Sequence, residues 1–186
     1  MPRASHKEKI VDAGLAVFHE KGYHASGVQT VVDYAGVPKG SFYNHFKSKE
    51  ELGLEVLKAY WRQSEDLRAA LRDPEQSPLD RIDAHLAAFN VSQSGCLVGN
   101  FTSEMAHEPE FREALKEVYS AWIADFEACI VEGQQDGSIR NDETAKSLAE
   151  FVVTALEGSV LKRKLEDDEQ TLVNFRKTML MFLAAA

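Results

Sequence analysis

Residues 36–46 read Gly-Val-Pro-Lys-Gly-Ser-Phe-Tyr-Asn-His-Phe. Lys39, Ser41, Tyr43, Asn44 and His45 crowd hydrogen-bonding groups onto one side of this stretch, while Phe42 and Phe46, four apart, share a stripe that can anchor it. A short helix with an apolar inner side and a donor-rich outer side is suited to a DNA major groove, where base edges carry the sequence code. The competing reading is a polar surface helix that happens to hold two aromatics. A second reactive candidate is Cys96, in Ser94-Gly95-Cys96-Leu97-Val98-Gly99-Asn100. A cysteine after a glycine break, at the start of a helix, meets free N–H groups and a helix dipole that favour a thiolate. Lys164, in the run Lys162-Arg163-Lys164, is the candidate thiol-activating cation should the fold bring it close. Cys129 instead falls in an apolar helical stripe and reads as an inert core thiol. Glu104 and His107 have the Glu-x-x-His spacing of helical di-iron sites, which need a second copy and further glutamates; this chain has one copy. With no phosphate-cradling loop, nucleophile elbow or CxxC pair, no catalytic residue, metal or cofactor is expected.

The frame for these residues is helical throughout. Ile10, Ala13, Gly14, Val17 and Phe18 follow helical spacing, and Gly22 stops that first helix. Ser26 and Gln29 have capping-box spacing, which predicts a second helix from Gly27 or Val28, with Val28, Val31 and Val32 inward and Gly36 as its left-handed terminus. Pro38 opens the third helix, and Ser48 with Glu51 forms another capping-box pair ahead of a fourth. Beyond it, Leu52, Val56, Leu57, Tyr60, Trp61, Leu67 and Leu71 make one long stripe closed by Asp73-Pro74. Ser77-Pro78 and Pro109 open later helices, Asp136-Gly137 breaks the latter, and two more lie around 143–164 and 168–184. No alternating strand pattern occurs. The expected fold is all-α with about nine helices: a three-helix DNA-binding domain over residues 1–48 and a larger sensing and dimerisation domain over 49–186.

Residues 8–55 resemble the DNA-binding domain of TetR-family transcriptional repressors. The matching pieces are Ile10–Phe18, Gly22-Tyr23, Ser26–Val32, Ala35-Gly36-Val37, Lys39-Gly40-Ser41-Phe42-Tyr43, His45-Phe46 and the run from Lys47 to Leu52. Val32-Asp33-Tyr34 departs from the small residues common there. The resemblance implies that Lys39, Ser41, Tyr43, Asn44 and His45 lie at the groove, with Tyr43 and Lys49 on phosphates and Gln29 and Thr30 also within reach of DNA. It implies a homodimer paired through the last two helices and a small-molecule effector that releases a repressor from its operator. Two recognition helices one DNA turn apart, roughly 34 Å, also call for a two-fold dimer on a palindromic operator. The Gly-Cys-Leu pattern ending at Glu104 is similar to an N-ethylmaleimide-responsive, NemR-like subgroup in which a cysteine at this position is the reactive one. Cys96 is accordingly either the sensor of an electrophile or oxidant, or a packing and pocket-wall residue. The alternative trigger is reversible binding of an apolar molecule among Trp61, Phe89, Phe101, Trp122 and Phe126. A helical adaptor that binds no DNA is the remaining reading.

Charge is consistent with this division. Residues 1–48 carry six Lys/Arg and four Asp/Glu, a net of +2, which leaves −11 for 49–186 in a chain of net −9. An acidic chain with pI near 5.2 is a poor indiscriminate DNA coat but suits oriented docking through one cationic face. At 186 residues and 44% hydrophobic it can bury a substantial core. No apolar run approaches a membrane span, the start lacks the apolar core of a secretory signal, and two dissimilar cysteines argue for reduced thiols. The expectation is a cytoplasmic protein with no membrane partner, in which the 90–92 and 100–102 sequons are coincidental.

Overall fold

The computed structural model describes residues 5–89 and 94–185; the first four residues and the 90–92 sequon lie outside them. The described residues form ten α-helices: α1 His6–Lys21, α2 Val28–Ala35, α3 Lys39–Tyr43, α4 Lys49–Gln63, α5 Glu65–Ala69, α6 Pro78–Ala88, α7 Leu97–Met105, α8 Pro109–Asp136, α9 Ala145–Glu166 and α10 Gln170–Leu183. A 3-10 turn, Ala70–Arg72, follows α5. The only β feature among them is an isolated bridge between Ile139 and Ala184. The expected all-α class is what is found.

Helix boundaries follow from caps. The Ser5 hydroxyl accepts from the Glu8 amide at 3.2 Å, and the Glu8 carboxylate accepts from the Ser5 amide at 2.7 Å, closing a capping box at α1. Ser77 caps α6 with Pro78 in its first turn, as the sequence predicts, and Thr144 caps α9. The box expected at Ser26 does not form. Its hydroxyl donates to the Gly22 carbonyl at 2.7 Å, Gly27 becomes the uncapped N-cap of α2, and Gln29 turns to Asp33. The single stripe expected over Leu52–Leu71 is also broken, because α4 ends at Gln63 and a separate short helix begins at Glu65.

The chain divides into two compact units: Met1–Gln63 with Cys96–Leu115, and Ser64–Gly95 with Lys116–Ala186. The unit holding the three-helix module thus runs past residue 48, through α4, and takes in α7. Its core is aromatic. Phe18 meets Tyr23 at 5.2 Å between ring centroids, Tyr23 meets Phe111 at 5.8 Å, and Phe111 meets Phe101 at 5.5 Å. Gly53 of α4 makes room for this cluster, since a Cβ there would sit 2.7 Å from Phe111 Cζ and 3.0 Å from Tyr23 Cε2. In the second unit α6 packs on α10, and α9 packs on α10. Buried arginines brace it: Arg68 pairs with Asp125 at 3.0 Å, and Arg81 pairs with Glu132 at 2.6 Å.

Candidate nucleic-acid interface

A five-residue helix has no stability of its own, because nucleation costs more than so few bonds return. What fixes α3 is burial of one side. Phe42 is 0% exposed and Phe46 1%, their rings 5.6 Å apart, and each contributes about 1.5–3 kcal/mol of apolar burial. Gly36 ends α2 in the left-handed conformation (φ 64°), its amide donating to Asp33 and that of Val37 to Val32, so the chain turns within three residues into α3. Val31 and Val32 close the inner side of α2.

The other side of α3 faces outward. Tyr43 is 59% exposed, and Lys39, Asn44 and His45 are exposed as well. Ser41 is half-buried, with its hydroxyl 3.1 Å from His6 Nδ1 at the start of α1. Gln29 is exposed and Thr30 half-buried on α2. Gln29 and Thr30 of α2, Lys39, Ser41 and Tyr43 of α3, and Asn44 and His45 just past its end are thus gathered in one unit. Lys49 departs from the expectation of a phosphate contact. Its ammonium donates to the carbonyls of Tyr23 at 3.0 Å and Ser26 at 3.1 Å, lies 4.1 Å over the Tyr23 ring, and is held below the usual lysine pKa by burial. Tyr34, 64% exposed at the end of α2, is a polar-tipped aromatic on the same module that spacing alone did not single out.

Cys96 is the N-cap residue of α7, as expected, and is buried, with Tyr60 Oη of α4 3.9 Å from its sulfur. The same Tyr60 ring packs edge-on against His19 of α1. Cys129 is buried in the second unit, its thiol donating to the Pro78 carbonyl at 3.4 Å, and burial pushes its pKa up to about 11. Lys164 is exposed on α9 and belongs to the second unit, whereas Cys96 belongs to the first. The candidate pocket aromatics also fall in both units. Phe101 is part of the aromatic core of the first, and half-buried Trp61 belongs there too. In the second, Phe89 stacks on Trp122 at 5.5 Å, and Phe126 meets His85 edge-on at 5.0 Å.

His85 escaped the sequence reading, since a lone histidine on an amphipathic helix gives no signal. It is fully buried, with Nδ1 3.0 Å from the Leu67 carbonyl oxygen. A carbonyl only accepts, so Nδ1 carries the proton, and Nε2 is a bare acceptor with no partner among the described residues. Burial pulls the pKa down to about 4, leaving the ring neutral at physiological pH. Glu104 was legible as half of a metal motif and as the end of the Gly-Cys-Leu pattern. Its carboxylate instead accepts from the backbone amides of Tyr23 and His24.

Residues 10–56 match the family described as bacterial regulatory proteins, tetR family, and residues 78–179 match the tetracyclin repressor-like C-terminal domain. The chain is 36% identical over 179 residues to the HTH-type transcriptional repressor DhaR of Mycobacterium sp. (strain GP1), covering 94% of this chain and 90% of that one. It is 34% identical over 179 residues to the transcriptional regulator AcuR of Cereibacter sphaeroides, covering 92% and 82%. Among solved structures, regulatory protein TetR from Rhodobacter sphaeroides superposes with a TM-score of 0.89 at 32% identity, over 95% of this chain and 98% of that one. The reduced form of Escherichia coli NemR shares the fold, with a TM-score of 0.86 at 24% identity over 97% and 98%. Proteins of this kind bind operator DNA and small-molecule effectors and function as dimers. Together with the exposed donors of α3, these matches establish that the chain belongs to the TetR family of DNA-binding transcriptional regulators and is not an enzyme.

Proposed function

We propose that this chain is a repressor that occupies a palindromic operator as a homodimer and leaves it when a small molecule reacts with or binds its regulatory part. One observation carries the DNA-reading half: α3 is pinned by two buried phenylalanines while Lys39, Tyr43, Asn44 and His45 stay exposed. Bidentate or apolar contacts from such side chains discriminate a base pair by about 1–3 kcal/mol. The dimer is proposed to form through α9 and α10. Phe151, Leu161, Leu165, Val173 and Met181 are exposed there, with Leu165 at 85%, and apolar side chains gathered on two adjacent helices favour a second helix pair. Leu148, Val152, Leu156, Val160 and Met179 of the same helices are instead buried inside the chain. The site of action is the cytoplasm, where an operator is reached.

Cys96 is proposed as the effector-sensing residue. Its place at the N-cap of α7 favours an anion on sulfur, and its burial means that an added group must displace α7 or α4 to be accommodated. The second reading is a reversible apolar effector beside Phe89, Trp122 and Phe126. It is supported by the unpartnered Nε2 of His85, which would accept from a hydroxyl or N–H on that molecule. Two steps test these readings: selection of bound duplexes from a random pool, then titration of the complex with N-ethylmaleimide in the unaltered chain and Cys96→Ala. Release confined to the unaltered chain supports the covalent sensor. Equal release in both, or none in either, sinks it and leaves the reversible effector. Recovery of no preferred duplex sinks the repressor reading itself.

A further inference from the structure

We propose that Glu104 is a positioning residue for operator binding, acting from α7 on the turn that joins α1 to the helix-turn-helix. The turn leaves α1 at Gly22, whose φ of 87° lies in the region that favours glycine. Beyond it, successive amides of Tyr23 and His24 point to the same side. Glu104 Oε1 accepts from Tyr23 N at 3.1 Å, and Oε2 accepts from His24 N at 2.7 Å. Successive amides converging on an anion make a concave binding site, and bonds to a charged acceptor are roughly twice as strong as neutral ones. The contact is reciprocal: His24 Nε2 lies 3.1 Å from the main-chain oxygen of Glu104, which can only accept, so the ring donates.

Three further features show that the turn is built around this carboxylate. A Cβ on Gly22 would approach Oε1 to 3.0 Å, so the close fit adds to the backbone demand for glycine. The carbonyls of the same turn, Tyr23 O and Ser26 O, are both taken by the Lys49 ammonium, so the turn's donors are held from α7 and its acceptors from α4. Finally, α2 starts at Gly27 without a side-chain cap, the Ser26 hydroxyl being taken by the Gly22 carbonyl within the turn. The two charged side chains therefore set the aim of α2 and, through the Gly36 turn, of α3. Glu104 stands outside the matched DNA-binding segment 10–56 and inside the C-terminal match 78–179, which makes reading of the operator dependent on a residue beyond the helix-turn-helix.

The inference rests on the DNA-binding reading, and the experiment separates the two. The full chain and Glu104→Gln are compared for affinity to an operator selected by the unaltered protein, affinity to a random duplex, thermal midpoint, and hydrogen exchange at the Tyr23 and His24 amides. A carboxamide presents one acceptor and one donor to two amides, so one of them is left facing an N–H. The variant is expected to bind the operator about tenfold more weakly and to exchange those two amides faster, with random-duplex affinity within twofold because no phosphate contact is lost. A Glu104→Asp chain, which keeps the charge, is expected to recover part of the loss. Unchanged operator affinity and exchange in Glu104→Gln would overturn the proposal. So would a parallel loss of operator affinity, random-duplex affinity and thermal midpoint without rescue by aspartate, which marks a purely structural residue. If the unaltered chain itself prefers no duplex, the DNA-binding reading has failed, and protected amides at Tyr23 and His24 still test the clamp.

Discussion

Protonation of His85 should make this protein acid-sensitive in a window where its carboxylates are still ionised. The ring is 0% exposed, and its pKa falls from the ordinary 6.5 to about 4, chiefly through burial; the bond to Leu67 and the charge of Asp125 oppose the shift. The folded state therefore keeps the ring neutral, while the unfolded chain takes up a proton below pH 6.5. Stability from this group is complete above that value and drains away as pH falls from 6.5 towards 4. Between pH 7 and pH 5 the loss comes to about 2 kcal/mol, a large share of a typical folding free energy. Urea unfolding at fixed protein concentration, at pH 7 and pH 5, measures it in the unaltered chain and in His85→Phe. The phenyl ring fills the site without titrating. The variant starts less stable because the Leu67 carbonyl loses its donor, but its loss between the two pH values should be smaller by about 2 kcal/mol. Equal pH dependence in both proteins would refute the buried neutral ring.

Three other outcomes are expected. Cys129, with its pKa pushed up to about 11, should be alkylated by N-ethylmaleimide at neutral pH roughly two orders of magnitude more slowly than an ordinary thiol, read by peptide mass in native protein and urea. Phe42→Ala should cost about 3–5 kcal/mol and abolish operator binding, whereas Tyr43→Ala, at an exposed site, should shift unfolding by less than about 0.5 kcal/mol while still weakening the DNA complex. Gly53→Ala places a methyl against the buried Phe111 and Tyr23 rings, and the expected 1–3 kcal/mol of overpacking exceeds the roughly 1 kcal/mol gained in helix propensity, so the thermal midpoint should fall.

What was legible in the sequence was local. The positive φ of Gly36, the burial of Phe42 and Phe46 and the Ser77-Pro78 helix start each follow from interactions within a few positions. The rest was decided by competing partners that spacing does not rank. Ser26 had two partners in reach, and its hydroxyl went to the Gly22 carbonyl rather than to the first turn of α2. The resemblance puts Lys49 on a phosphate, whereas here its ammonium donates to two carbonyls 23 and 26 positions away. Glu104 reaches a turn 80 positions earlier, and no periodicity encodes that. Leu161 and Leu165, exposed on α9, were not singled out, because helical spacing marks apolar stripes without saying which is used inside the chain.

The central claim is that outward side chains of α3 read base edges. It is tested most directly by measuring the affinity of the unaltered chain and of Asn44→Ala for the selected operator, with each base pair of a half-site changed in turn at one salt concentration. If Asn44 touches a base, its removal should erase about 1–3 kcal/mol of discrimination at one position per half-site and leave the others intact. Uniform weakening at every position, or no change at any, would contradict the account.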